Sequence, residues 1–463
     1  MDKNQNLEKD ALYYHAKGRP GKIEVIPTKE YANQRDLSLA YSPGVAVPCL
    51  AIAENKEDVY KYTAKGNLVA VISNGTAVLG LGDIGPEASK PVMEGKGLLF
   101  KIYADIDVFD IELNTTDVDE FIRTVKIMEP TFGGVNLEDI SAPACFEIEE
   151  RLKKELDIPV MHDDQHGTAI ISAAALINAL EIVGKDIEKV KIIVNGAGAS
   201  AISCSKLYIS LGAKKENVFM YDSKGLIHPT RDNLSGKKIE FVNDNMPAET
   251  TLSEAVNGAD VFIGLSRGGI LKKEMVKTMA KDCIVFAMAN PDPEITYEDA
   301  TSVREDIIMA TGRSDYPNQV NNVLGFPYIF RGALDVKSSE INEAMKCAAV
   351  HALADLAKKQ VPEMDYIIPK PVDPRLLTSV APAVAKAAMD SGVARAKITD
   401  WDAYELELSK RLGQDNSLLK IINNKAKQNP KRVVFADAEN LNVLKAAQEV
   451  INEKLAISYT SGK

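Results

Sequence analysis

From Val190 to about Thr311 the chain alternates short apolar runs with helical ones, and this alternation restricts the fold more than any other feature. KVKIIVNGAG reads as a strand and a glycine turn, ASAISCSKLYISLGA as a helix, and ENVFMYDSKG as a strand. TLSEAVNGADVFIGLS, KDCIVFAMANPDPE and DIIMATGRSDYPNQVNN continue the pattern. Strands too apolar to expose either face, separated by helix-length segments, predict a parallel, doubly wound α/β sheet. The first turn carries Gly196-Ala197-Gly198-Ala199-Ser200-Ala201, a dinucleotide fingerprint with a strand before it and an uninterrupted helix after it. The pyrophosphate of NADP or NAD is expected on the free N–H groups of that helix start. Asp222 ends the next strand some two dozen residues past Gly198, where a carboxylate can accept from ribose hydroxyls. Lys224 suits a 2′-phosphate instead; the signals conflict, and Lys224 tips the reading to NADP.

The N-terminal part is less regular. NLVAVIS, Asn74-Gly75 and TAVLGLG predict a hairpin. A second glycine motif, Gly80-Leu-Gly82-Asp-Ile-Gly85, is followed by Pro91, Gly95 and Gly97, which argue against a helix there and leave a tight turn. LLFKIYADIDVF reads as another strand, DVDEFIRTVKIM and FEIEERLKKEL as amphipathic helices, IPVMHDD as a strand, and GTAIISAAALINALEIVG as a long helix.

Candidate chemistry clusters at strand ends. Glu138-Asp139 follow GGVNL and Asp163-Asp164 follow IPVM, and such hard oxygen donors suit Mg²⁺ or Mn²⁺. Solvated strand ends would look the same, with Asp164 capping the long helix. His162 and His166 flank a turn-like DDQ with no cysteine nearby, so zinc is not the reading. Lys96, between two glycines ahead of a predicted strand, could act as a base if burial or a metal lowered its pKa. Tyr41 precedes Ser-Pro-Gly, Asn290 lies in ANPDPE, and Asn321-Asn322 lie in YPNQVNN. These asparagines fall on the side of the nucleotide glycines, where substrate or nicotinamide contacts compete with simple Asx turns.

Composition narrows the classes. The 463 residues carry a net charge of −11, which argues against a general nucleic-acid binder. No apolar run approaches the roughly 20 residues of a membrane helix, and the charged N-terminus has no secretory h-region. Five scattered cysteines read as reduced thiols in a cytoplasmic protein without membrane partners. The expected domains are 1–165, 166–400 and a polar 401–463, the last ending in one strand and one helix (KRVVFADAENLNVLKAAQEVINEKLA).

Together LAYSPGVA, NGTAVLGLGDIGPEASKPVMEGKGLLFK, NLEDI, MHDDQHGTAI, NGAGASA, ANPDPE and TGRSDYPNQVNNVLGFP resemble the malic enzymes, over roughly residues 15–400. The tail from Lys431 resembles the opening of a phosphotransacetylase-like domain. The combination is similar to the long bacterial hybrid malic enzymes, usually NADP-dependent, with that domain truncated here and its acetyl-CoA response in question. The resemblance implies an N-terminal substrate domain, a Rossmann-type NAD(P) domain and a homodimer or higher homo-oligomer. It implies oxidative decarboxylation of (S)-malate to pyruvate and CO₂ with NADP or NAD and Mg²⁺ or Mn²⁺. By motif matching it puts the general base on Lys96, the general acid on Tyr41 and the metal ligands on Glu138, Asp139 and Asp164, with Asp163 beside them. Asn290 and Asn322 would contact substrate or nicotinamide, with Asn321 adjacent. Thr76 stands where larger eukaryotic members have a carboxylate-binding arginine, whose charge it cannot supply. The alternatives are another NAD(P)-dependent dehydrogenase, which would need no divalent metal, and a non-catalytic nucleotide-binding regulatory module, which would show no turnover.

Overall fold

LVAVIS (Leu68–Ser73, β1) is buried at all six positions, so it has no face for water and must lie inside a covered sheet. The computed structural model describes residues 3–29, 31–78, 81–234, 236–290, 292–358, 363–412, 425–427, 429–436, 441–452 and 454–460. It puts β1 between Asp107–Glu112 (β2) and Gly134–Leu137 (β3), with Val160–His162 (β4) beyond, all parallel, in the order β2-β1-β3-β4. Lys3–Ala16 (α1), Gln34–Ala40 (α2), Ala46–Glu54 (α3) and Val59–Tyr62 (α4) precede β1. Pro86–Ala104 (α5), Val118–Met128 (α6) and Ala144–Glu155 (α7) connect the strands, and Asp163–Ile182 (α8) leaves β4 directly.

Several local expectations fail here for identifiable reasons. No hairpin follows Asn74-Gly75, because β1 spends its backbone on two parallel neighbours and Gly75 O instead accepts from Ile84 N and Gly85 N. A Cβ at Gly75, whose φ is +69°, would overlap Gly85 O. Gly80 of that turn lies outside the described residues. The region read as strand LLFKIYADIDVF is mostly α5, which runs through Pro91, Gly95 and Gly97. Tertiary packing overrides propensity: Pro86 starts the helix, and Ser89, Met93, Lys96, Gly97, Phe100 and Ala104 form one buried stripe. The long helix starts four residues early, so Asp163 and Asp164 form its first turn, and His162, not Asp164, is at the N-cap.

The second sheet is the doubly wound one that the alternation requires. Its strands are Ile192–Asn195 (β5), Val218–Asp222 (β6), Gly225–Leu226 (β7), Val261–Gly264 (β8), Ile284–Ala287 (β9) and Ile308–Thr311 (β10), in the order β10-β9-β8-β5-β6-β7, with only β7 antiparallel. The helices Ala199–Ser210 (α9), Leu252–Val256 (α10), Lys273–Thr278 (α11) and Tyr297–Thr301 (α12) connect these strands. Phe326–Asp335 (α13), Glu343–Lys358 (α14) and Leu376–Asp390 (α15) follow. The chain leaves β5 toward β6 on one side and reaches β8 on the other, which opens a crevice at their carboxyl ends. Phe100 of α5 packs edge-on against Phe326 and Phe330 of α13, tying the first sheet's helices to the second's.

Residues 1–401 form one compact unit and 402–463 another. The second holds most of helix Trp401–Arg411 (α16) and a parallel pair, Lys431–Phe435 (β11) and Ala456–Thr460 (β12), joined through Leu441–Asn452 (α17). The tail therefore has a second strand beyond the one expected; GQDNS lies outside the described residues. Among the described residues no helix is long and apolar enough to cross a membrane.

Candidate active site

Both carboxylate pairs sit at the carboxyl ends of adjacent parallel strands, and the fold brings them onto one lysine. Lys96 Nζ lies 2.8 Å from Glu138 Oε1 and 2.7 Å from Asp163 Oδ2, and 4.2 Å above the Phe326 ring. Glu138 follows β3, and Asn136 Nδ2 donates to its Oε2 at 2.9 Å. Asp139 adopts a left-handed backbone (φ 53°), an uncommon conformation for a non-glycine residue, and its N–H donates to Asp164 Oδ2 at 2.8 Å. Asn322 Nδ2 donates to Asp163 Oδ2 at 3.1 Å, and Thr168 Oγ1 donates to Asn322 Oδ1 at 3.0 Å. A side chain at Gly167 would overlap Asp163 Oδ1 and crowd Asn322, so only glycine fits that turn of α8.

Four carboxylates meet a single ammonium, and the electrostatics record the excess. Burial raises the Glu138 carboxyl, Lys96 pulls it down, and Asp164, Asp163 and Asp139 raise it again, leaving it well above the ordinary range. Burial lowers Lys96, but Asp163 and Glu138 outweigh burial and lift its pKa above the usual lysine value. An ammonium, not the neutral amine expected from burial alone, is thus the stable form in this arrangement. Oxygens of Glu138, Asp139 and Asp164 lie within 4.8 Å of one another, the one such metal-ligating group among the described residues. An all-oxygen donor set with surplus negative charge fits Mg²⁺ or Mn²⁺. His166 turns away to Glu149, 2.9 Å away, so the histidine pair forms no zinc site.

A cleft of about 940 Å³ opens over this cluster; Lys96, Glu138, Asp139 and Asp164 line it together with Asn290, Asn321 and Asn322. Asn321 also accepts from Val323 N at 3.0 Å, so part of its side chain is spent on a turn. A neighbouring cleft of about 1160 Å³ contains Gly196, Ala197, Gly198 and Asp222. Ala201 is buried where α9 leaves the turn, and Ala199 opens that helix. Ser200 Oγ donates to Asp164 O at 2.7 Å, a direct link from the glycine turn to the carboxylate cluster. Arg267 borders both clefts.

The cofactor end differs from expectation. Burial raises the Asp222 carboxyl, yet Arg231 brings it below the usual range by donating to both oxygens, at 2.9 and 3.0 Å. Lys238 stands 3.6 Å away. Lys224 is exposed and contributes its backbone N–H to Asp222 Oδ1, whereas Lys237 and Lys238 line the cleft. Arg231 has no local signature, but the adjacent pair Lys237-Lys238 beyond the acidic strand end was a readable signal.

Tyr41 and Thr76 line neither cleft. Tyr41 caps the end of α2 at 77% exposure and is not among the residues lining either cleft. Thr76 Oγ1 donates to Asn74 Oδ1 at 2.7 Å and accepts from Ser141 N at 2.9 Å, holding two loops together. Residues that sequence reasoning missed include Tyr14 and Lys22, which line the cleft over the carboxylates, and Glu294, whose carboxylate accepts from Ser266 N and Ala289 N.

Residues 20–153 match the family described as malic enzyme, N-terminal domain, and residues 165–389 the one described as malic enzyme, NAD binding domain. The chain is 53% identical over 469 residues to the NADP-dependent malic enzyme of Rhizobium meliloti, covering 98% of this chain and 61% of that protein. It is 51% identical over 474 residues to the NAD-dependent malic enzyme of the same organism, covering 99% and 61%. It therefore spans about three-fifths of the length of these curated relatives. The crystal structure of malic enzyme from Pyrococcus horikoshii aligns with a TM-score of 0.83 at 43% identity, over 90% of this chain and 99% of that one.

Proposed function

The chain belongs to the malic enzyme family, and from that premise we propose that it oxidatively decarboxylates (S)-malate to pyruvate and CO₂ with reduction of NAD(P). The observation that carries the reading is Lys96 within 3 Å of Glu138, beside a three-carboxylate group, in a cleft adjoining the glycine turn. Glu138, Asp139 and Asp164 would hold Mg²⁺ or Mn²⁺, with Asp163 just behind. When bound, the dication would acidify the malate 2-hydroxyl and stabilise the enolate left by CO₂ loss, and the oxidised nicotinamide would take hydride from C2.

Lys96 would take the hydroxyl proton. It can do so only once its own proton is lost, and engaging Glu138 and Asp164 in metal binding weakens the field that now retains it. Burial then opposes the charged form against Asp163 alone, which still favours it. Asp163, 2.7 Å from Nζ, orients the amine and stabilises the ammonium formed. Arg267 and Lys22 are the cations at the cleft wall for the substrate carboxylate that Thr76 cannot bind. Asn290 and Asn322 would orient substrate and nicotinamide, with Asn321 adjacent. Arg231, Lys237 and Lys238 turn the Asp222 end of the nucleotide cleft cationic, which supports NADP over NAD.

Tyr41 as the acid that protonates C3 requires its hydroxyl to come from a second copy. The face carrying it supports this: α2 and α3 bury no residue, and Leu37, Leu39, Val47 and Leu50 are all more than half exposed. The working form is accordingly a homodimer. The five free thiols support a cytoplasmic setting. The second compact unit, with its parallel strand pair, is read as phosphotransacetylase-like.

Absorbance at 340 nm, with malate, Mn²⁺ and each cofactor in turn, tests the reading. Metal-dependent reduction of NADP, abolished by EDTA and faster than with NAD, is expected. EDTA-resistant reduction would favour a metal-free dehydrogenase, and no turnover with either cofactor would favour a regulatory nucleotide-binding module.

A further inference from the structure

Helix α8 carries Asp163 and Asp164 in its first turn, yet its N-cap residue, His162, makes no side-chain cap. Something else must fix where this turn begins. Glu149 of α7, 6% exposed, accepts from His162 N at 3.1 Å and contacts His166 Nε2 at 2.9 Å, one turn into α8. Lys153 Nζ is 2.7 Å from the same carboxylate. The other His166 nitrogen lies 3.3 Å from Lys346 Nζ of α14, and Lys346 pairs with Glu343. Three helices thus converge on the β4–α8 junction through Glu149 and Lys346, which are buried, and His166 and Lys153, which are partly buried, none of them lining either cleft.

None of these groups lines a cleft or is hydrogen-bonded to the Glu138, Asp139 or Asp164 carboxylates. Their one shared consequence is the position of the backbone immediately before Asp163 and of the helical turn bearing Asp164. We propose that Glu149 and His166 are positioning residues that hold the start of α8 so that Asp163 and Asp164 converge with Glu138 and Asp139. The inference rests on the reading of Glu138, Asp139 and Asp164 as a divalent-cation site. Removing outer partners that orient metal ligands typically costs about 10- to 100-fold in metal affinity or in activity.

Mn²⁺ alone is the probe, titrated by electron paramagnetic resonance into the full chain stripped of metal, with NADP⁺ affinity measured in parallel. Glu149→Ala should raise the Mn²⁺ Kd by about 10- to 100-fold and leave the NADP⁺ Kd within about twofold. Glu149→Gln, which keeps an oxygen for His162 N, should retain more affinity than Glu149→Ala. If Glu149→Ala does not fold, His166→Ala carries the test and should raise the Mn²⁺ Kd by at least about threefold. Parental Mn²⁺ affinity in the folded variant, equal loss in Glu149→Gln and Glu149→Ala, or matched loss of Mn²⁺ and NADP⁺ binding would overturn the positioning role. A parent chain that binds no Mn²⁺ would instead overturn the metal-site reading itself.

Discussion

Lys96 receives opposite instructions from its surroundings: burial favours a neutral amine, while Glu138 and Asp163 hold an ammonium. To act as the proposed base it would have to be released from that hold, which couples the proposed role to the carboxylates beside it. Lys96→Ala should lower kcat by about 10²–10⁴-fold in the NADPH absorbance assay; near-parental kcat in folded protein would remove Lys96 from the role. Sequence spacing alone could not reveal this hold, because Asp163 and Glu138 lie far along the chain. A more general signal was readable: Lys96 and Glu149 each occupy the apolar stripe of a helix, between Met93 and Phe100 and between Phe146 and Leu152. A charge in such a position must be paired or functional.

At the scale of elements, the periodic segments were legible and the packed exceptions were not. α6 and α7 show helical periodicity, and β5, β6, β8, β9 and β10 read as apolar runs between helices. α5 was not legible, because Pro91 and two glycines suppress its propensity and only the contact of its buried stripe with neighbours restores it. The Asn-Gly turn misled in the opposite direction, since its local preference gave way to two parallel neighbours of β1. α2 and α3 remain incomplete as they stand, with apolar residues facing outward around Tyr41. If a second copy covers them and delivers Tyr41, mixing Tyr41→Phe chains with Lys96→Ala chains should regenerate intact sites. Activity should then reach about a quarter of the parental value, the statistical share in freely exchanging dimers. Activity no higher than the average of the separate variants would exclude Tyr41 donated in trans.

For the whole molecule, two sheets, parallel except at β7, each open at the carboxyl ends of their parallel strands, and the described contacts bring those ends to adjoining clefts. The ordering of motifs along the chain made this architecture legible, because parallel strands put loops that are distant in sequence at one edge. The fine division of labour was not legible: Arg231 captures Asp222, Ser200 bonds Asp164 O, and Thr76 is committed to loop closure. Each depends on where a loop travels after leaving its strand. The central claim is that Glu138, Asp139 and Asp164 form one divalent-cation site beside Lys96. An anomalous-difference map from a crystal soaked in Mn²⁺ tests it most directly. A single strong peak bonded to oxygens of all three carboxylates, at about 2.0–2.3 Å, is the expected result; a peak elsewhere, with this cluster empty at saturating Mn²⁺, would contradict it.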